Sequence, residues 1–217
     1  MNVITIDFET YYAKGFGFSK LTTEEYINDE RFEVIGVAVK VNDGNTEWFT
    51  GTYEETKTYL RKFDFSNSIL LAHNTIFDGA ILSWKFGIKA KKYADTLCMA
   101  RAINGVNAGG SLAYLSELYN LGKKGDEVVH AEGKRRTDFK VDEMARYGAY
   151  CKNDVELTYK LFNLLAQGFS IQELRLIDLT LKMYIDPVLQ VDVELLQAQL
   201  AKIVKKKKEL LEYQTML

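Results

Sequence analysis

Two carboxylates stand one strand repeat apart near the start of the chain, in Val3-Ile4-Thr5-Ile6-Asp7-Phe8-Glu9-Thr10. The stretch is β-branched and apolar, which predicts a strand, and alternate side chains of a strand share a face. Asp7 and Glu9 therefore fall on one face, with Ile4, Ile6 and Phe8 on the other. At the end of a buried strand two such acids repel and lose hydration, and both effects raise their pKa values unless a cation lies between them. Hard divalent ions such as Mg²⁺ or Mn²⁺ prefer oxygen ligands and remove that strain. An isolated Asp-x-Glu is more plainly a solvated strand end, so the chemistry depends on what joins it.

Two further pairs join it. Asn74 and Asp78 stand at i, i+4 just beyond the short apolar run Ser68–Ala72, a spacing that predicts one helix face. Tyr150 and Asp154 repeat that spacing in Tyr150-Cys151-Lys152-Asn153-Asp154. With 68–72 read as a parallel neighbour of the first strand, the acids gather at the C-terminal strand ends, where open α/β sheets keep their sites. Gathering Asp7, Glu9, Asp78 and Asp154 without a cation is costly. Each pair about 4 Å apart repels by about 4 kcal/mol at an effective dielectric of about 20. Two divalent ions about 3.5–4 Å apart would turn that liability into a two-metal phosphodiesterase centre. The Tyr150 phenol, one turn from Asp154, would orient the attacking water.

The elements that must position these groups are legible in outline. Further strands are expected at 32–41, 46–49 and 92–95, with Asn42-Asp43-Gly44-Asn45 as hairpin turn. Helices are expected at 53–63, from Thr75 to about Phe86, at 96–102, at 112–121, at 142–165 with a break near Gly148, and at 171–185 before Pro187. A charged amphipathic helix begins at Asp192. Tyr11–Ser19 reads as an aromatic, Gly-rich loop beside the carboxylates, and Gly122–Lys140 as a polar loop long enough to be mobile or functional. Strands first, then strand–helix alternation, predict an α/β protein with a mixed sheet between helices.

Composition narrows the class without naming it. The 217 residues are 47% hydrophobic and 27% charged, ordinary for a soluble globular protein that can bury a core. A formal charge of −2 supplies no general basic field, so any nucleic-acid contact is local. Cys98 and Cys151 are far apart and no Cys/His spacing matches a zinc site. With no secretory leader and no bilayer-length apolar run, a cytoplasmic protein without a membrane partner is expected.

The three acidic motifs, in order and at domain-scale spacing, resemble those of the DEDD-type 3′–5′ exonucleases, and Tyr150 in the last motif points to the tyrosine subgroup. Asp95-Thr96 also resembles the run of family members. The resemblance covers residues 1–168. It implies a ribonuclease-H-like three-layer fold, a five-stranded mixed sheet with helices on both faces, and residues 169–217 as a helical extension. It further implies that Asp7, Glu9 and Asp154 hold the Mg²⁺ or Mn²⁺ that activates water. Asp7 would bridge to a second ion, reached by Asp78 directly or through water, and a nucleoside monophosphate would be released. The run from Glu173 through Asp192 is similar to the segment joining exonuclease and polymerase domains in family A DNA polymerases, those of phages especially. That implies a proofreading exodeoxyribonuclease acting on single-stranded or frayed 3′ ends of DNA. Its polymerase domain would lie in a longer chain or in a partner, in a bacterial or phage-infected cytoplasm. The rivals are a stand-alone exoribonuclease of the same fold and a catalytically silent module that holds nucleic-acid ends.

Weaker signals each carry two readings. Phe8 and Thr10 flank the carboxylates and would touch the terminal nucleotide, or Phe8 simply packs in the core. Asn74 would bond the substrate strand or cap the following helix. Lys134-Arg135-Arg136 suits phosphate contact or is a solvated charge run. His130 reads as a loop residue, and Lys205–Lys208 as the solvent side of the last helix.

Overall fold

The computed structural model describes residues 1–125 and 131–215, the last three by backbone alone; His130 lies outside the described residues. Five strands form one mixed sheet: β1 (Asn2–Thr10), β2 (Val34–Val41), β3 (Glu47–Phe49), β4 (Ser68–Ala72) and β5 (Lys92–Asp95), in the order β3-β2-β1-β4-β5. β1 is central, antiparallel to β2 and parallel to β4. The β2–β3 pair is antiparallel and the β4–β5 pair parallel. The helices are α1 (Thr23–Asn28), α2 (Tyr53–Leu60), α3 (Thr75–Ala80), α4 (Thr96–Asn104), α5 (Leu112–Leu118), α6 (Val141–Leu165), α7 (Ile171–Ile185) and α8 (Val193–Thr215). The chain is the α/β, ribonuclease-H-like arrangement expected, and the exceptions have local causes.

α1 is absent from the sequence reading. Six residues are too few for periodicity to register, and its evidence is the box Thr22/Glu25, in which each side chain accepts from the other's backbone N–H. α3 ends at Ala80 and passes into a wider π turn, Ile81–Lys85, rather than running on as a uniform helix. α6 continues through Gly148 without a break. That glycine answers a packing need, since a Cβ there would come 2.5 Å from the Trp48 indole. Gly36 on β2 meets the same ring from the sheet, so one indole fills the space between two residues that lack side chains.

The sheet has two dressed faces. Ile4, Ile6 and Phe8 enter the main core with Leu60, Leu70, Ile81 and Phe86. On the other face α6 packs against β1 and β2, with Cys151 and Val155 against Ala38 and Trp48. The chain divides into two compact units, Met1–Asp186 and Pro187–Leu217. α7 lies in the first. Leu181 and Ile185 join the main core, the Asp178 carboxylate accepts from the Tyr93 N–H, and the Trp84 indole donates to the Ile185 carbonyl. In the second unit the Asp192 carboxylate accepts from the Leu195 N–H, and Lys205 and Lys208 pair with Glu209 and Glu212. No described helix is long and apolar enough to cross a membrane.

Candidate active site

The strand alternation of β1 sends Asp7 and Glu9 away from the core that takes Phe8, toward α6. α6 answers with Tyr147, Tyr150, Cys151 and Asp154, spaced i, i+3, i+4, i+7 and so aligned on one helix face. Ligand atoms of Asp7, Glu9 and Cys151 lie within 4.8 Å of one another. Asp154 and Asp78 join through the field: Asp154 raises the pKa of Asp7 and of Glu9, and Asp7 raises that of Asp78. Asp78 is delivered from β4 by the turn into α3, and its Oδ1 accepts the Phe8 N–H at 2.9 Å. Three distant pieces of chain thus converge.

Every one of these acids is harder to ionise than in water. Burial pushes Asp7 up to about 6, helped by Asp154 and opposed by Lys124 and the Cys151 thiol. Burial and the charge of Asp7 push Glu9 up to about 8, against the hydrogen bond from Tyr147. Asp78 is raised by burial and then by Asp7. Asp154 is raised by burial, and here the Lys124 ammonium pulls the other way from 2.6 Å. The other oxygen of Asp154, Oδ1, is buried and meets no donor. A cluster of desolvated oxygens, one without any partner, fits a hard divalent cation. Burial, then Asp154, push the Tyr150 phenol up, so it keeps its proton at neutral pH and acts as a hydrogen-bonding group rather than a base.

The cluster opens into a cavity of about 720 Å³. Its walls include Asp7, Glu9, Asp154, Tyr150 and Lys124, with Thr10, the loop 12–20 and Phe77. Phe18 stands at its rim, more than half exposed and edge-on to Phe77.

The candidate nucleic-acid contacts fare differently. Phe8 stacks on Phe86 with its ring buried, so packing has claimed the ring. Thr10 faces the cavity, but its hydroxyl bonds to the Tyr26 phenol at 2.9 Å. Asn74 does not share a helix face with Asp78: it precedes α3 in the left-handed region, φ +72°, and its side chain makes no cap bond. Asn74 is exposed, and the backbone N–H groups of Asn74 and of Thr75 bond to Asp95. Lys134 pairs with Glu143 at 2.9 Å, and Arg135 pairs with Glu33 at 2.8 Å while lying over the Tyr11 ring. Arg136 lines a second cavity with Phe32, Tyr53 and Lys85, not the one above the acids. Two of the three cations are thus paired with carboxylates of this chain and the third faces a different cavity.

Four residues at the site escaped the sequence reading. Tyr147 and Cys151 share the helical spacing of Tyr150 and Asp154, and extending that stripe by one turn would have found them. Lys124 sits in a glycine-flanked loop with no periodicity to mark it. Asp95 stands out in the sequence only as part of a resembling run. It both caps α4, accepting from the Leu97 and Cys98 N–H groups, and holds the turn that presents Asp78.

A family described as 3′–5′ exonuclease matches residues 18–169. The match starts after β1, so Asp7 and Glu9 lie outside the matched span. No curated protein matches the sequence. Among solved structures, Brucella melitensis NrnC is 17% identical with a TM-score of 0.59, over 85% of this chain and 82% of that one. Trypanosoma brucei RNase D is 15% identical with a TM-score of 0.61, over 87% and 67%. NrnC has been solved with bound Mg²⁺ and with pGG, and that RNase D with RNA U12. At these identities the likeness speaks for the fold.

Proposed function

The chain belongs to the 3′–5′ exonuclease family, and on that premise we propose that it removes nucleotides from the 3′ end of single-stranded or frayed DNA, releasing nucleoside 5′-monophosphates. The family works with divalent metal ions; two, Mg²⁺ or Mn²⁺, are assigned to this site. The observation that carries the reading is that Asp7, Glu9 and Asp154 line one cavity, with Asp78 bonded to the intervening Phe8 N–H and a buried Asp154 oxygen that accepts no hydrogen bond. Asp7, Glu9 and Asp154 would hold one ion, and Asp78 together with Asp7 would help hold the second. Bound there, such ions lower the pKa of a water and stabilise charge on the departing 3′ oxygen. Tyr150 keeps its phenol proton and orients that water by hydrogen bonding. The cavity, open on the side of Phe18 and Phe77, gives a terminal base an aromatic wall on which to stack.

The cellular role assigned is proofreading for a family A DNA polymerase, whose polymerase domain continues the chain or binds it. What supports this is the similarity of 173–192 to the connecting segment of such enzymes. The rival reading, a 3′–5′ exoribonuclease, is favoured by the RNA named with the trypanosomal neighbour. Matched 3′-labelled DNA and RNA oligomers, digested with and without chelator, separate the two. Faster loss of mononucleotides from DNA, abolished by chelator, supports the assignment. Selective digestion of RNA transfers it to the rival, and binding without cleavage leaves an end-binding module.

A further inference from the structure

Tyr147 has no part in the roles given to the acids and Tyr150, yet its environment is unusually complete. It is 2% exposed, stacks on Phe139 at 5.2 Å between ring centres, and lies near the Tyr150 and Trp48 rings. Its hydroxyl donates to Glu9 Oε2 at 2.6 Å, a short, buried bond. One helical turn on, the Cys151 thiol lies 3.3 Å from Asp7 Oδ2 and from the Asp7 carbonyl oxygen. Both donors come from the same stripe of α6 that carries Tyr150 and Asp154.

We propose that Tyr147 is the positioning residue of the metal centre. Its phenol fixes one oxygen of Glu9 so that the other faces the ions, and the Cys151 thiol steadies Asp7 in the same way. Glu9 has three side-chain torsions and, without this bond, nothing described in its surroundings donates to its carboxylate. Carboxylates that ligate metals are held by such outer hydrogen bonds, and loss of one lowers metal affinity or activity by about 10–100-fold. Because donors and Asp154 ride on one continuous helix, the ligand oxygens are set relative to each other by a rigid element. The role is distinct from that of Tyr150, whose ring borders the cavity while the Tyr147 hydroxyl is already engaged. The inference rests on the metal-centre reading above.

The test is Mn²⁺ binding to the whole chain, followed by calorimetry and by the loss of the free-ion electron paramagnetic resonance signal. Tyr147→Phe keeps the ring and its stacking and removes only the donor. It is expected to weaken Mn²⁺ binding about 10–100-fold, with kcat at saturating metal largely retained. Tyr150→Phe is expected to do the reverse, lowering kcat with Mn²⁺ binding unchanged. Cys151→Ala should weaken binding by a smaller factor and Cys151→Ser, which keeps a donor, should restore it; this pair keeps the idea testable if Tyr147→Phe folds poorly. Wild-type affinity in both Tyr147→Phe and Cys151→Ala overturns the proposal while leaving the metal centre intact. Failure of the unaltered protein to bind Mn²⁺ overturns both.

Discussion

Replacing Glu9 with Gln should make the metal-free protein more stable, although it destroys the site. The folded chain holds the Glu9 proton up to about pH 8, whereas the unfolded chain releases it near the ordinary value of 4.5. Between those values the folded state binds more protons, so stability is full below pH 4.5, falls as pH rises through the window, and is lowest above pH 8. Asp7 adds a loss of the same sign between 3.8 and about 6. A pH of 7 lies about 2.5 pH steps above the ordinary Glu value, and at about 1.4 kcal/mol per step keeping the Glu9 proton in the folded chain, while the unfolded chain releases it, removes about 3 kcal/mol. Gln keeps a carbonyl oxygen for the Tyr147 hydroxyl and carries no charge, so the variant recovers that amount. Thermal unfolding in chelator at pH 7 should then show Glu9→Gln about 6–12 °C above the unaltered protein. The gap should narrow toward pH 5. Added Mn²⁺ should raise the unaltered protein far more than the variant. A variant that unfolds earlier at pH 7 without metal, or an unaltered protein whose stability climbs from pH 5 to 8, would refute the electrostatic account.

Asp7→Ala and Asp154→Ala should each retain the circular dichroism spectrum of the unaltered chain and reduce mononucleotide release to background; near-normal release from either in Mg²⁺ would remove that acid from the site. Gly148→Ala drives a methyl group into the Trp48 indole and should cost about 1–3 kcal/mol by urea unfolding. Asp95→Asn turns donors toward backbone N–H groups that now find oxygens, and should lower stability by about 1–3 kcal/mol and slow cleavage by displacing Asp78. Neutralising Lys134, Arg135 and Arg136 together should leave the salt dependence of oligomer binding within about one unit of slope. A larger change would mean that their carboxylate pairs open to meet phosphate.

The parts of the site visible in sequence were those that rest on short-range geometry. A strand shows which of its neighbours share a face, and a helix shows which residues stack one turn apart, so Asp7 with Glu9 and Tyr150 with Asp154 could be paired by counting. Asn74 misled that counting, because a single residue at positive φ put it outside the helix to which its spacing assigned it. Lys124 and Asp95 were out of reach for another reason. Their importance lies in what they meet across the fold: a carboxylate 30 residues later for the first, two backbone amides about 20 residues earlier for the second. The cations at 134–136 illustrate the same limit in reverse, since nothing local reveals that Glu33 and Glu143 await two of them.

The unbroken run of α6 beneath the acids has a consequence for how such a chain can vary. Each residue of an α-helix advances the side-chain direction by about 100°. Inserting or deleting one residue between Tyr147 and Asp154 would therefore swing every later side chain off the cluster at once, whatever its chemistry. An equal change in the Asn42–Asn45 turn is absorbed where it occurs. Over those eight positions α6 is a ruler, more tolerant of altered letters than of an altered count.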